Sequence, residues 1–77
     1  MAKSNIQNNI RKLRFNKGEM TQQELADKAQ VSRQTIVAIE KGNYSPSLEL
    51  AFRFSFIFNT PLEEIFTYNP EKTIPES

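Results

Sequence analysis

The chain has no cysteine and no histidine among its 77 residues. Without cysteine there can be no disulfide and no thiolate metal site. Without histidine the commonest general base and metal ligand is missing, and with it every Ser/His or Cys/His nucleophile pair. The acidic residues stand mostly at helix starts or surface-like positions, so neither an enzyme nor a bound cofactor is expected. Long hydrophobic runs are missing too. The most apolar segment, LAFRFSFIF, is broken by Arg53 and Ser55 and falls well short of the ~20 residues that cross a membrane. No basic stretch followed by an apolar one opens the chain, so a cytoplasmic protein is expected. Size is a further limit: a chain this short is one domain, and it buries only about 60% of the surface its unfolded form exposes.

Strong net charge is also lacking, at +1, but the charges are unevenly placed. Residues 1–41 hold eight Lys and Arg against four acids, net +4, while residues 42–77 hold Arg53 and Lys72 against five glutamates, net −3. A basic working face and an acidic far side would produce this pattern. Ordinary scatter over a solvated surface would produce it equally well.

The clearest positive signals are helix starts. Thr21-Gln22-Gln23-Glu24 has the capping-box form, with Met20 before it and Leu25 beyond it as a hydrophobic staple. Val31, Ser32 and Ile36 repeat the cap and staple at the next helix. Ser45-Pro46-Ser47 opens another, with Ser45 or Ser47 as cap. Thr60-Pro61-Leu62-Glu63 opens a last one, with proline at the first helical position. The spacing of Ile6, Ile10 and Leu13 predicts a first helix over residues 4–17. Phe52, Phe54, Phe56 and Phe58 alternate as a strand would, but they lie between two helix starts and are read as helix. Residues 67–74, with Pro70 among them and Pro75 just after, are either a tail or a short strand. The expected fold is all-α, a compact bundle of five helices over residues 1–68, with 69–77 as the tail or strand.

Within VSRQTIVAIEKG, residues 31–42, Ile36 and Ile39 fall together on a helical wheel, with Glu40 at the edge of their sector. Arg33, Gln34, Val37, Ala38 and Lys41 fall on the opposite side. A core has no use for that face, whereas base edges do: Arg suits guanine O6/N7, Gln suits adenine N6/N7, and small methyl groups suit the thymine methyl. A solvated helix face with a good cap reads the same way when the helix is taken singly. The preceding segment adds context. Residues 22–29 form a short helix with Leu25, Ala26 and Ala29 inward, followed by the tight turn Gln30-Val31-Ser32. Two short helices across such a turn, with Ala26 allowing close approach, make a helix-turn-helix over 21–41, whose second helix enters the major groove.

The stretch TQQELADKAQVSRQTIVAIEKGNYSPSLELA, with PLEEIF after it, resembles the Cro/CI-type (XRE family) helix-turn-helix of small bacterial and phage regulators. The likeness covers about residues 8–66. It implies a five-helix domain of the lambda-repressor-like DNA-binding type that binds operator DNA, usually as a symmetric dimer. Family position places Arg33, Gln34 and Ala38 against bases with Val37 beside them. It places Gln22, Thr35, Lys41, Asn43 and Tyr44 near phosphates, and pairs Arg14 with Glu40. Departures from the family pattern are Gln30 where the turn usually has glycine, a Lys17-Gly18-Glu19 segment one residue longer than in relatives, and Phe56 where relatives often carry a charge. Phe15 also falls off the inner face of the first helix. The helix over residues 48–58 is apolar nearly all round, so Phe56 with Ile65, Phe66 and Tyr68 is the expected dimer seam; an aromatic-heavy core is the other use for these side chains.

The expected function is that of a sequence-specific double-stranded DNA-binding transcriptional regulator, a repressor acting as a homodimer on an inverted repeat. Its partners are operator DNA and a second copy, with no membrane and no evident small-molecule ligand. Two other readings fit the same residues. One is an antitoxin or accessory regulator that grips a protein through its acidic C-terminal half. The other is an interaction module that kept the fold and lost DNA binding.

Overall fold

The computed structural model describes residues 5–69. Five helices and two short strands follow in the order β1 (Ile6–Asn8), α1 (Ile10–Asn16), α2 (Gln22–Ala29), α3 (Arg33–Glu40), α4 (Leu48–Phe58), α5 (Leu62–Ile65) and β2 (Phe66–Tyr68). The all-α expectation therefore needs a correction. β1 pairs antiparallel with β2, Ile6 opposite Tyr68 and Asn8 opposite Phe66, so the two ends of the described chain close on each other.

The first helix begins at Ile10 rather than near residue 4, and asparagines explain why. Asparagine side chains compete with helical hydrogen bonds by bonding to nearby backbone. Asn8 Oδ1 accepts the amide of Ile10 at 3.1 Å, and Asn9 sends its own amide to the carbonyl of Ile65 at 2.9 Å. The Asn9 side chain donates to the Glu64 carbonyl at 3.0 Å. Chain that periodicity assigns to the first turn of a helix is thus drawn into a ribbon with the far end. The C-terminal strand lies at residues 66–68; the rest of the predicted 67–74 segment, from residue 70 on, lies outside the described residues.

The middle helices start where the capping signals place them. Thr21 accepts from the Glu24 amide at 3.0 Å while Glu24 Oε1 accepts from the Thr21 amide at 2.8 Å, the reciprocal box. Ser32 Oγ accepts from the Thr35 amide at 3.1 Å, and Ser47, not Ser45, caps α4 through the Leu50 amide at 3.1 Å. The last helix differs from expectation. Pro61 stands just before its first residue and not within it, and Thr60 turns its hydroxyl back to donate to the Phe58 carbonyl at 2.9 Å. The carbonyls left unsatisfied at the end of α4 compete for that hydroxyl.

Three helices end in one motif. After α2, Gln30 lies in the left-handed region and the Val31 amide reaches back to the Ala26 carbonyl at 3.0 Å. After α3, Gly42 does the same, with the Asn43 amide on the Ala38 carbonyl at 3.0 Å; after α4 it is Asn59, with the Thr60 amide on Ser55 at 3.1 Å. These are Schellman closures, and glycine fills one of the three. The long Lys17-Gly18-Glu19 segment is accommodated by two successive left-handed residues, Gly18 at φ 75° and Glu19 at φ 57°.

The core is a single cluster of Ile10, Met20, Leu25, Ala26, Ala29, Ile36, Ile39, Leu50, Phe54, Phe58 and Ile65. α2 packs against both α3 and α4. The four phenylalanines of α4 resolve into two helical pairs. Phe54 and Phe58, four apart, are buried, whereas Phe52 and Phe56 face solvent. Phe54 meets Phe66 with ring centroids 6.2 Å apart, joining α4 to β2.

Candidate nucleic-acid interface

α2, the turn and α3 form a rigid corner. Thr21 fixes its entrance, the left-handed Gln30 its bend, and Ser32 the start of α3. Two long-range contacts hold the corner from outside. Arg53 on α4 donates from Nη1 to the Ala29 carbonyl at 2.8 Å, covering the C-terminal end of α2. Asn8 donates from Nδ2 to the Ile39 carbonyl at 2.9 Å, near the end of α3. Reasoning from sequence missed both. Arg53 shows in the sequence only as an interruption of an apolar run, and nothing local marks Asn8, whose acceptor lies 31 residues away.

Gln30 carries a steric cost that glycine would not. At φ 63°, ψ 42° its Cβ crowds the following carbonyl, at roughly 1 kcal/mol. A Gln30→Gly variant should therefore gain up to about 1 kcal/mol, reduced by the added freedom of its unfolded chain. Urea denaturation would show this as a higher midpoint at unchanged slope; a lower midpoint would mean that the glutamine side chain contributes in a way the backbone does not reveal.

α3 sits with Ile36 and Ile39 fully inside the core. Arg33 and Gln34 in its first turn are exposed, and neither has a hydrogen-bond or ion-pair partner among the described residues. Val37 and Ala38 are half-buried on the outer side, and Lys41 is exposed just past the helix end. The structure thus brings the five outward residues of the wheel onto one surface. Thr35 is half-buried and its hydroxyl lies 2.9 Å from that of Ser32, so it is already engaged at the helix start. Asn43 and Tyr44 are exposed in the loop beyond α3, Tyr44 beside Val31, Thr35 and Arg53.

Behind the outer face of α3 lies a charged junction. Arg14 donates from Nε to Glu40 Oε2 at 2.7 Å and from Nη2 to Oε1 at 3.1 Å, a bidentate pair. Its third nitrogen, Nη1, donates to the Met20 carbonyl at 2.8 Å, and Gln22 donates its amide to Glu40 Oε1 at 3.2 Å. α1, the start of α2 and the end of α3 are thereby locked together. The side chains of Arg14 and Glu40 are 13% and 9% exposed, so the pair is largely withdrawn from solvent screening. Gln22, expected at a phosphate, is half-buried and held by Glu40, with its second amide hydrogen still available.

The residues expected at a dimer seam are scattered. Ile65 is fully buried, packed in the core of its own protomer, so it has no surface to offer a second copy. The helical pattern of α4 and α5 does not say which side the core takes, so periodicity leaves Ile65 open to either use. Phe66 is half-buried against Phe54. Phe56 and Tyr68 are exposed, at 88% and 62%.

Two eight-residue helices across a left-handed turn, the second with a polar first turn facing outward, define a helix-turn-helix protein. The helix-turn-helix family model matches residues 10–65, and the chain belongs to this family as an XRE-type regulator. It is 53% identical over 53 residues to an uncharacterized HTH-type transcriptional regulator of Methanocaldococcus jannaschii, covering 69% of this chain and 80% of the relative. A regulator of the same description from Archaeoglobus fulgidus is 48% identical over 63 residues, covering 82% of this chain and 89% of the relative. The HTH-type transcriptional regulator YgzD of Bacillus subtilis is 38% identical over 66 residues, 86% of this chain and 98% of its own length. Among the described residues, no helix is long and apolar enough to cross a membrane.

Proposed function

We propose that the protein reads a specific double-stranded DNA sequence through Arg33, Gln34, Val37 and Ala38, and represses transcription as a homodimer on an inverted repeat. The observation that carries this is the state of Arg33 and Gln34: two donor-rich side chains, fixed on a helix anchored by Ile36 and Ile39, exposed and without a partner among the described residues. Bidentate pairing of each with a purine would contribute about 1–3 kcal/mol of discrimination. Gln22, Thr35, Lys41, Asn43 and Tyr44 ring that helix and supply the phosphate contacts that set register.

The dimer is proposed to form through exposed apolar surface on α4 and β2. Leu48, Phe52 and Phe56 recur every fourth residue along α4 and are 70%, 56% and 88% exposed. With Tyr68 they replace the seam expected at Ile65. A two-fold dimer would place its α3 helices about one turn of DNA apart, with half-site centres near 10 bp.

The test is selection from a randomised duplex library by the purified protein, read beside an Arg33→Ala/Gln34→Ala variant. The wild type should return a palindromic consensus that blurs or vanishes in the variant. If the wild type enriches nothing at moderate salt, the DNA reading fails, and a protein that binds the acidic C-terminal half becomes the partner to seek.

A further inference from the structure

The Ile39 carbonyl has no amide partner within α3, because the Asn43 amide that would reach it closes on Ala38 instead. Two donors beyond the helix take it. One is the Gly42 amide at 3.0 Å, part of the closure that turns α3 into the Lys41-Gly42-Asn43 loop. The other is Asn8 Nδ2 at 2.9 Å, from β1.

Asn8 is half-buried, and its one side chain serves three elements. Oδ1 accepts the Ile10 amide at the start of α1, Nδ2 holds the end of α3, and the backbone lies opposite Phe66 of β2. Ile10 offers a donor and Ile39 an acceptor, so the amide fits in one orientation and both its ends are fixed. The Glu40 junction ties α3 to α1 and α2; Asn8 ties it to the ribbon. We infer that Asn8 is a positioning residue for DNA binding. It carries the closure of the β1–β2 ribbon to the turn after α3, where Lys41 and Asn43 are set relative to Arg33 and Gln34. The inference rests on the DNA reading above, and Asn8 acts through Ile39, not on the duplex.

The ladder offers a way to open the ribbon without touching Asn8. Bonded and non-bonded pairs alternate along antiparallel strands. Asn9 bonds to Ile65 and Asn69 to Asn5, so the pair midway between them, Gln7 and Thr67, is a bonded one too. Thr67→Pro removes an amide from that pair. Phe66, at φ −121° and ψ 141°, already has the extended backbone that a residue before proline adopts. Thr67→Ala, at the same exposed position, keeps the amide.

The experiment measures affinity for the selected operator by fluorescence anisotropy, under conditions where circular dichroism shows each variant fully folded. Asn8→Ala and Thr67→Pro should each weaken binding about 3- to 10-fold, the worth of one hydrogen bond in an equilibrium constant. The double variant should be no weaker than the weaker single one, because both changes release the same contact. Thr67→Ala should bind as wild type does. A purely structural role would lower the urea midpoint and leave the affinity of the folded protein unchanged. That result, additive losses in the double variant, or wild-type affinity in Thr67→Pro would overturn the inference and leave the DNA reading intact. Hydrogen exchange tests the coupling without DNA. The Gly42 amide, which shares the Ile39 carbonyl with Asn8, should exchange faster in both single variants than in wild type. Unchanged exchange in Thr67→Pro would overturn the coupling even in a protein that binds no duplex, whereas a wild type that binds no duplex overturns the DNA reading.

Discussion

A Phe54→Ala variant should lose about 3–5 kcal/mol of stability, the usual loss for a buried phenylalanine cut back to its β-carbon. Phe54 is fully buried, and its ring meets that of Phe66, a contact between α4 and β2. A domain of this length has a total stability of roughly 4–11 kcal/mol. The loss is therefore comparable with the whole margin, and the thermal midpoint should fall on the order of 15–30 °C. The companion variant is Phe56→Ala, two residues along the same helix and 88% exposed. Within one protomer its cost should be a few tenths of a kcal/mol at most. If Phe56 lies at a dimer seam, the loss appears instead as a weaker self-association in sedimentation equilibrium. A Phe54→Ala midpoint within a few degrees of wild type would mean that the core does not close around that ring.

Glu40→Ala should be nearly as damaging for a different reason. Three donors converge on this carboxylate, and its removal leaves the Arg14 guanidinium largely buried with the Met20 carbonyl as its remaining partner. Breaking such a pair from one side typically costs about 3–5 kcal/mol. At 9–13% exposure some relief by water is available, so the lower end is expected. Replacing both partners, as Arg14→Met/Glu40→Leu, should recover most of that stability, since apolar side chains of similar volume remove the desolvation problem. Duplex affinity should not recover with it, because Gln22 loses the acceptor that aims its amide. Urea midpoints and duplex affinity, measured on both variants, separate the two effects. Full recovery of affinity in the double variant would show that the junction acts on stability and not on positioning.

Much of the helix-turn-helix was legible in the sequence because its signals are local. A threonine three residues before a glutamate, and a serine between two aliphatic staples, specify helix starts through atoms only a few bonds apart. The outer face of α3 was legible for the same reason: eight residues at 100° each fix which side chains share a side once Ile36 and Ile39 are given to the core. At Gln30 the sequence departs from the usual glycine, yet the turn keeps its left-handed bend, because a cost near 1 kcal/mol is small beside the burial of Ala26, Ala29 and Val31 around it.

The errors lay where distant parts of the chain compete. Ile6 continues the helical spacing of Ile10 and Leu13, and nothing nearby opposes a helix. Its strand partner is Tyr68, at the other end of the domain, and Asn9 bonds to Ile65 and Glu64 there as well. Ile65 reads as a seam residue in the sequence because a four-residue helix is too short for periodicity to show its inner side. Thr60 reads as a cap, but the free carbonyls at the end of α4 claim its hydroxyl.

The sequence by itself determined the middle helix starts, the outward face of α3 and the exclusion of cysteine and histidine chemistry, since each depends on residue identity or on neighbours within one helical turn. Tertiary structure alone decided the β1–β2 ribbon, the grip of Arg53 and Asn8 on the helix-turn-helix, and which aromatic side chains remain in water. Those outcomes are set by which backbone groups and apolar faces meet across the fold, and pairing over such distances leaves no periodic mark on the chain.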